Sequence, residues 1–479
     1  MNWEEQRAAR GRKKNRKEKE KEKARSLITP LSKKSVVSID ARTHHNKKSK
    51  PHNEHHEGKG GSHKSHFPGP APAPLPPSGS RTTFPVLSFG AKGDGVSDDS
   101  KALLAAWKAA CRVKGATVEI PSGFKFLVHP ITLEGACMPD LVLQIDGTLL
   151  APSKVGSWPD SGLLQWINLK YVHNFTIQGT GSVDGQGFDW WSKSNHVPKS
   201  KPTALRFYSG FDVTVRDIKI LNSPQCHLKF DNSASIKVDN ITITSPENSP
   251  NTDGIHLQNT KNVEIQHSTI GCGDDCVSIQ TGCDNVHVHH IKCGPGHGIS
   301  LGGLGGNQST ACVSNIIVND ISFNNTQLGV RIKTWPGGRG SVKNVSFSNI
   351  EVSNVGKPIV IDQNYCDNKL KKIMSKKNHR GAVAISGVKY ERITGNYTQQ
   401  PILLNCSSDT PCTDVDIIDI QLKPISEKLS SSPGLDWCQN SYGKTKAPLV
   451  PSSIDYCLGR DGSPLLKNIA KSHEKNIIC

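Results

Sequence analysis

From residue 213 onward the chain repeats itself in a way that few folds permit. The pattern apolar-x-apolar-x-x-apolar-x-apolar reads Val213, Val215, Ile218, Ile220 and then Ile236, Val238, Ile241, Ile243. It begins again at Val263 and Val286, and less strictly at Ile316, Val345 and Val415. A second, offset segment recurs beside it: Gly254-Ile255-His256-Leu257, Cys276-Val277-Ser278-Ile279, Gly298-Ile299-Ser300-Leu301 and Gly329-Val330-Arg331-Ile332. Its anchors Ile255, Val277, Ile299 and Val330 are separated by 22, 22 and 31 residues. Alternation of period 2 is the mark of a strand, and two strand columns held at a nearly constant period are the coils of a solenoid with one variable loop. A β-sandwich also has many short strands but has no reason to keep two columns in register. The sequence therefore predicts an all-β parallel β-helix. A chain of 479 residues exceeds the roughly 250–300 at which one compact core stops growing, which an elongated solenoid accommodates. Only 6% of residues are aromatic and 43 are glycine, which suits a core of small and β-branched side chains. Upstream, a turn at Gly93-Asp94-Gly95 and N-cap residues Ser97, Asp98 and Asp99 precede Leu103, Ala106, Trp107 and Ala110. That spacing gives one apolar helix face, placed to cap the open end of the solenoid.

The register makes a chemical prediction. Two positions before successive anchors stand Asp253, Asp275 and His297, with Asp274 beside Asp275. Equivalent positions in stacked coils lie about 4.8 Å apart, so these residues form a ladder on one surface. Arg331 and Lys333 follow the next anchor, and alternation points both out of the core on the face shared by His256, Ser278 and Ser300. Carboxylates this close resist simultaneous ionisation, so one should hold its proton at mildly acidic pH. A protonated carboxyl beside an ionised one is what glycosidic hydrolysis uses. The two cations suit a substrate that is itself a carboxylate polymer. Taken singly, Asp253-Gly254 and Gly273-Asp274 are ordinary turn chemistry, His297 between two glycines fits a turn, and three carboxylates also suit Ca²⁺. Turn residues, however, need not coincide in one column.

The net charge of +17 is uneven: residues 1–80 hold 19 Lys/Arg against 8 Asp/Glu, leaving 40 against 34 for the rest. The head also holds seven of the 19 histidines, from His44 to His66, ahead of a stiff Pro68–Pro77 linker. A solvated spacer is the reading preferred to a metal-binding tract. No run of about 18 apolar residues exists to span a membrane. Fourteen cysteines without zinc-ligand spacing point to an oxidised, secreted protein, with Cys276–Cys293 and Cys406–Cys412 as local bridges. Sequons at Asn174, Asn240, Asn307, Asn324, Asn344, Asn396 and Asn405 point the same way. The Lys/Arg/Glu run from Arg7 to Arg25 is not a secretion leader. A misassigned start codon is the preferred account, ahead of a nucleic-acid-binding tail or unconventional export.

In Ser249-Pro250-Asn251-Thr252-Asp253-Gly254-Ile255-His256, Gly273-Asp274-Asp275-Cys276, Cys293-Gly294-Pro295-Gly296-His297-Gly298 and Arg331-Ile332-Lys333-Thr334-Trp335, the chain resembles the polygalacturonases of glycoside hydrolase family 28, above all the plant members. The resemblance runs from about Phe84 to the C-terminus. It implies a single-stranded right-handed, pectin-lyase-like β-helix domain over residues 84–479, and the basic head over 1–80 is a departure from it. It also implies an inverting hydrolase of α-1,4-linked galacturonan, acting in the cell wall as a monomer, with no cofactor, metal or nucleic-acid partner. Asp274 would be the general acid, Asp253 and Asp275 would hold and activate water, and His297 would support the acid. Arg331, Lys333, Asn251 and, less securely, Tyr365 would bind the pectic polysaccharide. Spacing alone instead suggests the short carboxylate separation of retaining enzymes. Rhamnogalacturonan or xylogalacturonan hydrolysis, a Ca²⁺-dependent lyase, and a non-catalytic pectin-binding wall protein are the competing readings. Departures from the family pattern are Cys226, where an aromatic residue is common, and the Gly-rich stretch 302–306.

Overall fold

A computed structural model of the chain describes residues 82–159, 165–192, 200–366, 381–426, 437–460 and 479. The basic head and its histidine tract lie outside the described residues. All strand pairings among the described residues are parallel, and each strand pairs with its counterpart in the next coil. Two sheets result, one of eleven strands and one of twenty-one. The repeat predicted both registers. Val213, Ile236, Val263, Val286, Ile316 and Val345 stand opposite one another in the larger sheet, and the row continues through Val388 to Val415. In the eleven-stranded sheet Leu228, Ile255, Val277, Ile299, Val330, Ile359 and Ile402 form one row, each no more than 1% exposed.

These rows are the core. Side chains two residues apart point to the same face, so every second residue stacks on its equivalent one coil away. Phe207 and Phe230 show the result, with ring centroids 4.9 Å apart and planes 13° from parallel. Each buried branched side chain contributes about 1.5–3 kcal/mol by leaving water, and the stacking shares that gain along the whole axis. At the corners the backbone must enter the left-handed region, which asparagine tolerates. Asn262, Asn285, Asn315 and Asn344 stack there with φ of 54–56°. Their amides bond along the axis, Asn285 Nδ2 to Asn262 Oδ1 at 2.9 Å and Asn344 Nδ2 to Asn315 Oδ1 at 2.5 Å. The sequon asparagine Asn344 is therefore also a structural corner residue.

The predicted helix spans Ser100–Ala110 and buries Leu103, Ala106, Trp107 and Ala110 against the first coils. Trp107 Nε1 donates to Glu134 O and its ring packs edge-on to Phe175. Of the three residues expected to cap its start, one does so. Asp98, not Asp99, accepts the Ser100 N–H, while the Asp99 carboxylate turns back to accept Lys92 N and Gly93 N. The expected bridges Cys276–Cys293 and Cys406–Cys412 are present, with Cys111–Cys137, Cys312–Cys479 and Cys438–Cys457 besides. Cys226, Cys272 and Cys283 are buried free thiols and Cys366 a half-buried one.

Candidate active site

The site lies on the eleven-stranded sheet, where strands Ile255–Gln258, Val277–Ile279, Ile299–Leu304 and Leu328–Thr334 stack in register. The acids occupy the turns just before these strands, and backbone bonds carry the ladder into the turns. His227 N donates to Asp253 O, Gly254 N to Asp275 O, and His297 N to Asp274 O, at 2.8–2.9 Å. Two glycines make the close approach possible. A Cβ on Gly254 would sit 2.5 Å from Cys276 O, and one on Gly273 would sit 1.9 Å from Ser249 O. Asp253-Gly254 is thus less a turn signal than a contact between coils.

Asp275 is 2% exposed and is the electrostatic centre of the site. Its Oδ1 accepts from Ser300 Oγ and Arg331 Nη2, both at 2.8 Å, and its Oδ2 from Lys333 Nζ at 3.0 Å. Arg331 also donates from Nε to Ser300 Oγ at 3.0 Å. Two cations on one buried carboxylate form a triad whose charges are mutually dependent. Asp274 faces His297, whose Nδ1 lies 3.1 Å from Oδ1, and accepts Asn251 Nδ2 on its other oxygen at 3.2 Å. Asp253 meets His256 Nδ1 at 3.0 Å.

The two acids that lack a Lys or Arg partner are pushed in opposite directions. Burial raises the Asp253 carboxyl, with Asp274 and Asp275 adding repulsion against the opposing His256 bond. Burial also pushes Asp274 up, but the hydrogen bond and charge of His297, the Lys333 charge and the Asp275 N–H together hold it below the ordinary range. Of the two, Asp253 is therefore the carboxyl that protonates more readily. Asp274 shares a hydrogen bond with His297, which is placed to exchange a proton with it.

Every site residue expected from the sequence that touches the ladder is found there. Tyr365 stands at the edge, half-buried, packing edge-on to Trp335 with its ring centroid 5.5 Å from Lys333 Nζ. The Gly-rich stretch explains that packing: a Cβ on Gly303 would come within 2.7 Å of Trp335 Nε1. Arg331 and Lys333, expected to meet substrate, are first of all partners of Asp275. Sequence reasoning gave no role to His256, Ser300 or His227, and marked Cys226 only as a departure that bears on cleft shape. The first two stand in the outward column with Arg331. Cys226 stands two positions before Leu228, in the Asp253 column one coil earlier, and its Sγ lies 3.9 Å from Asp253 Oδ2. Burial pushes that thiol well above its ordinary value, so it is an uncharged wall beside the acid. His227 Nδ1 donates to Asp253 O at 2.9 Å, and burial lowers this imidazole to about 4, so it stays neutral and fixes the Asp253 backbone. A hollow of about 460 Å³ opens beside His297, lined by Glu247, Asn248, Gly296 and Gln327.

Known proteins share this arrangement of coils. A polygalacturonase from Erwinia carotovora superposes with a TM-score of 0.61 at 24% identity, over 78% of this chain and 99% of that one. An endo-xylogalacturonan hydrolase from Aspergillus tubingensis gives 0.66 at 23%, over 80% and 100%. At such identities the likeness concerns the fold. Closer in sequence, a polygalacturonase of Malus domestica is 40% identical over 71% of this chain and 74% of its own. One of Cryptomeria japonica is 39% identical over 73% and 68%. Residues 111–440, which contain the whole ladder and both cations, match the family described as Glycosyl hydrolases family 28, and the chain belongs to that family of glycoside hydrolases.

Proposed function

We propose that this protein hydrolyses α-1,4 linkages of galacturonan in pectin, outside the cell, as an enzyme of the plant wall. The observation that carries this reading is the convergence of Asp253, Asp274, Asp275 and His297 with Arg331 and Lys333, in a chain about 40% identical to plant polygalacturonases. Asp274 protonates the leaving oxygen. Asp253 and Asp275 hold the attacking water, and the reaction inverts the anomeric centre. The resting charge pattern is compatible with this through the His297–Asp274 pair. Beside His297 and Lys333 the Asp274 carboxyl is held below its ordinary range. When substrate displaces water, a separated charge pair becomes costly, and the proton moves onto the carboxyl. Arg331 and Lys333 keep part of their field for the galacturonate carboxylate, since one buried anion balances only one of the two cations. Each Asp275 oxygen already accepts from a cation, which leaves little for a Ca²⁺ ion to coordinate and argues against the lyase reading.

The direct test is incubation of the full-length protein with polygalacturonate. New reducing ends should appear without ultraviolet-absorbing unsaturated products; unsaturated ends lost on chelation would establish elimination instead. The pH profile carries a second expectation. Activity needs Asp253 ionised, and because its carboxyl is raised, the acidic limb of kcat/KM should lie above the ordinary aspartate value of about 3.9. The alkaline limb is loss of the proton shared by Asp274 and His297, a property of the pair. In His297→Asn only the carboxyl remains to hold that proton, so the alkaline limb should move to lower pH by at least about one unit. An unmoved limb would remove His297 from the proton path.

A further inference from the structure

Four imidazoles gather on the twenty-one-stranded sheet, away from the carboxylate ladder. Alternation places His287 and His289 on the same outward face, and left-handed corners at His267 (φ 47°) and His290 (φ 53°) bring two more rings beside them. His287 and His289 stack with centroids 4.2 Å apart, and His290 lies 5.1 Å from both His289 and His267. Glu264, on the preceding coil, stands in register with His287. One carboxylate oxygen of Glu264 and one ring nitrogen each of His287 and His289 lie within 4.8 Å of one another.

Neighbouring hydrogen bonds decide where the protons are. Asn319 donates from Nδ2 to Asp320, so its Oδ1 faces Nε2 of His287 at 2.6 Å. Nε2 must then carry the hydrogen, which leaves the His287 lone pair on Nδ1. His289 Nδ1 lies 2.8 Å from His290 Nδ1, and a single hydrogen joins them. With that hydrogen on His289, its Nε2 is a buried lone pair with no hydrogen bond among the described residues, 3.5 Å from Glu264 Oε1. Lys237 takes the other Glu264 oxygen at 3.2 Å and leaves Oε1 turned toward the rings. In that tautomer Nε2 of His289 turns its lone pair toward Glu264 Oε1, and each ring's second nitrogen is held by a neighbour. That is how metal-ligating histidines are oriented.

We propose that Glu264, His287 and His289 form a binding site for a borderline divalent transition metal of the Zn²⁺ class. Two imidazoles and one carboxylate are a known zinc donor set, with water or a neighbouring imidazole free to complete a tetrahedron, and they discriminate against Ca²⁺. Tetrahedral bonds of about 2.0–2.2 Å set donors about 3.4 Å apart, a spacing that Glu264 Oε1 and His289 Nε2 already have at 3.5 Å, and the Glu264 side chain, 41% exposed, has room to adjust. The ion would staple two successive coils beside a groove of about 800 Å³ lined in part by His267 and His290. Its role is structural and owes nothing to the carboxylate site.

The test uses full-length protein freed of metal by chelator and titrated with Zn²⁺ by calorimetry, beside a His287→Gln/His289→Gln variant. The seven head histidines are present in both and cancel. The wild type should bind one more equivalent than the variant, and saturating Zn²⁺ should raise its Tm by roughly 3 °C more. Equal stoichiometry with an equal Tm response would overturn the site. Unchanged polygalacturonate hydrolysis checks that the variant is folded. Should the double variant fail that check, Glu264→Gln, which keeps shape and removes the charge, must weaken Zn²⁺ binding at least tenfold or the proposal falls.

Discussion

Asp274→Asn should lower kcat on polygalacturonate by at least about 10²-fold while KM stays within a small factor. The substitution keeps the shape of the side chain and one oxygen able to accept from Asn251 or His297, so the site should remain assembled. What it removes is the transferable proton. Stability should change little, within about 0.5 kcal/mol, because the side chain sits at the rim and carries no buried ion pair with Arg331 or Lys333. Chemical denaturation of both proteins checks this. The combination of lost turnover and unchanged unfolding separates a proton donor from a structural acid. A variant that retains turnover would transfer the donor role to Asp253, whose carboxyl is the one that burial raises.

Asp275→Ala should behave differently, losing both activity and stability. Removing one member of a buried ion-pair set leaves the others desolvated without compensation, at a cost of about 3–5 kcal/mol. Here two cations are orphaned, with Arg331 and Lys333 side chains only 13% and 11% exposed. They would also repel one another across the vacated space. Urea unfolding should show the loss as a lower midpoint with little change in slope. Asp275→Asn should cost less, since the amide oxygen still accepts from one cation. Galacturonate oligomer should restore part of the lost stability in the alanine variant, because its carboxylate can stand in for the missing one. A variant as stable as wild type would mean that the triad is not formed.

Much of the fold and the site is legible in the sequence because a solenoid turns spacing into position. Anchors 22 residues apart are enough to place Asp253, Asp275 and His297 in one column. What spacing does not convey is who pairs with whom. Arg331 and Lys333 are legible as outward cations but not as partners of Asp275, since that depends on side-chain reach across three coils. The proton preference of Asp253 over Asp274 is equally hidden, because it follows from burial and from one imidazole contact. Cys226 and His227 escape for a simpler reason. The column announces itself from Asp253 forward, and the preceding coil, with Leu228 as its anchor, carries no acid at the matching position. In the eleven-stranded sheet the coils past Val330 also escape, because the interval from Ile359 to Ile402 breaks the even period.

The interval between Ile299 and Val330 is nine residues longer than the two before it, yet Ser300 remains opposite Arg331. The extra length is absorbed outside the column, between the end of one coil and the start of the next. Such a scaffold lets a lineage lengthen or shorten the walls of its cleft without disturbing the reacting groups, because hydrogen bonds between neighbouring strands, and not loop length, set their alignment. Chain-length preference and tolerance of substrate branching can then diverge among descendants while the acids stay where they are.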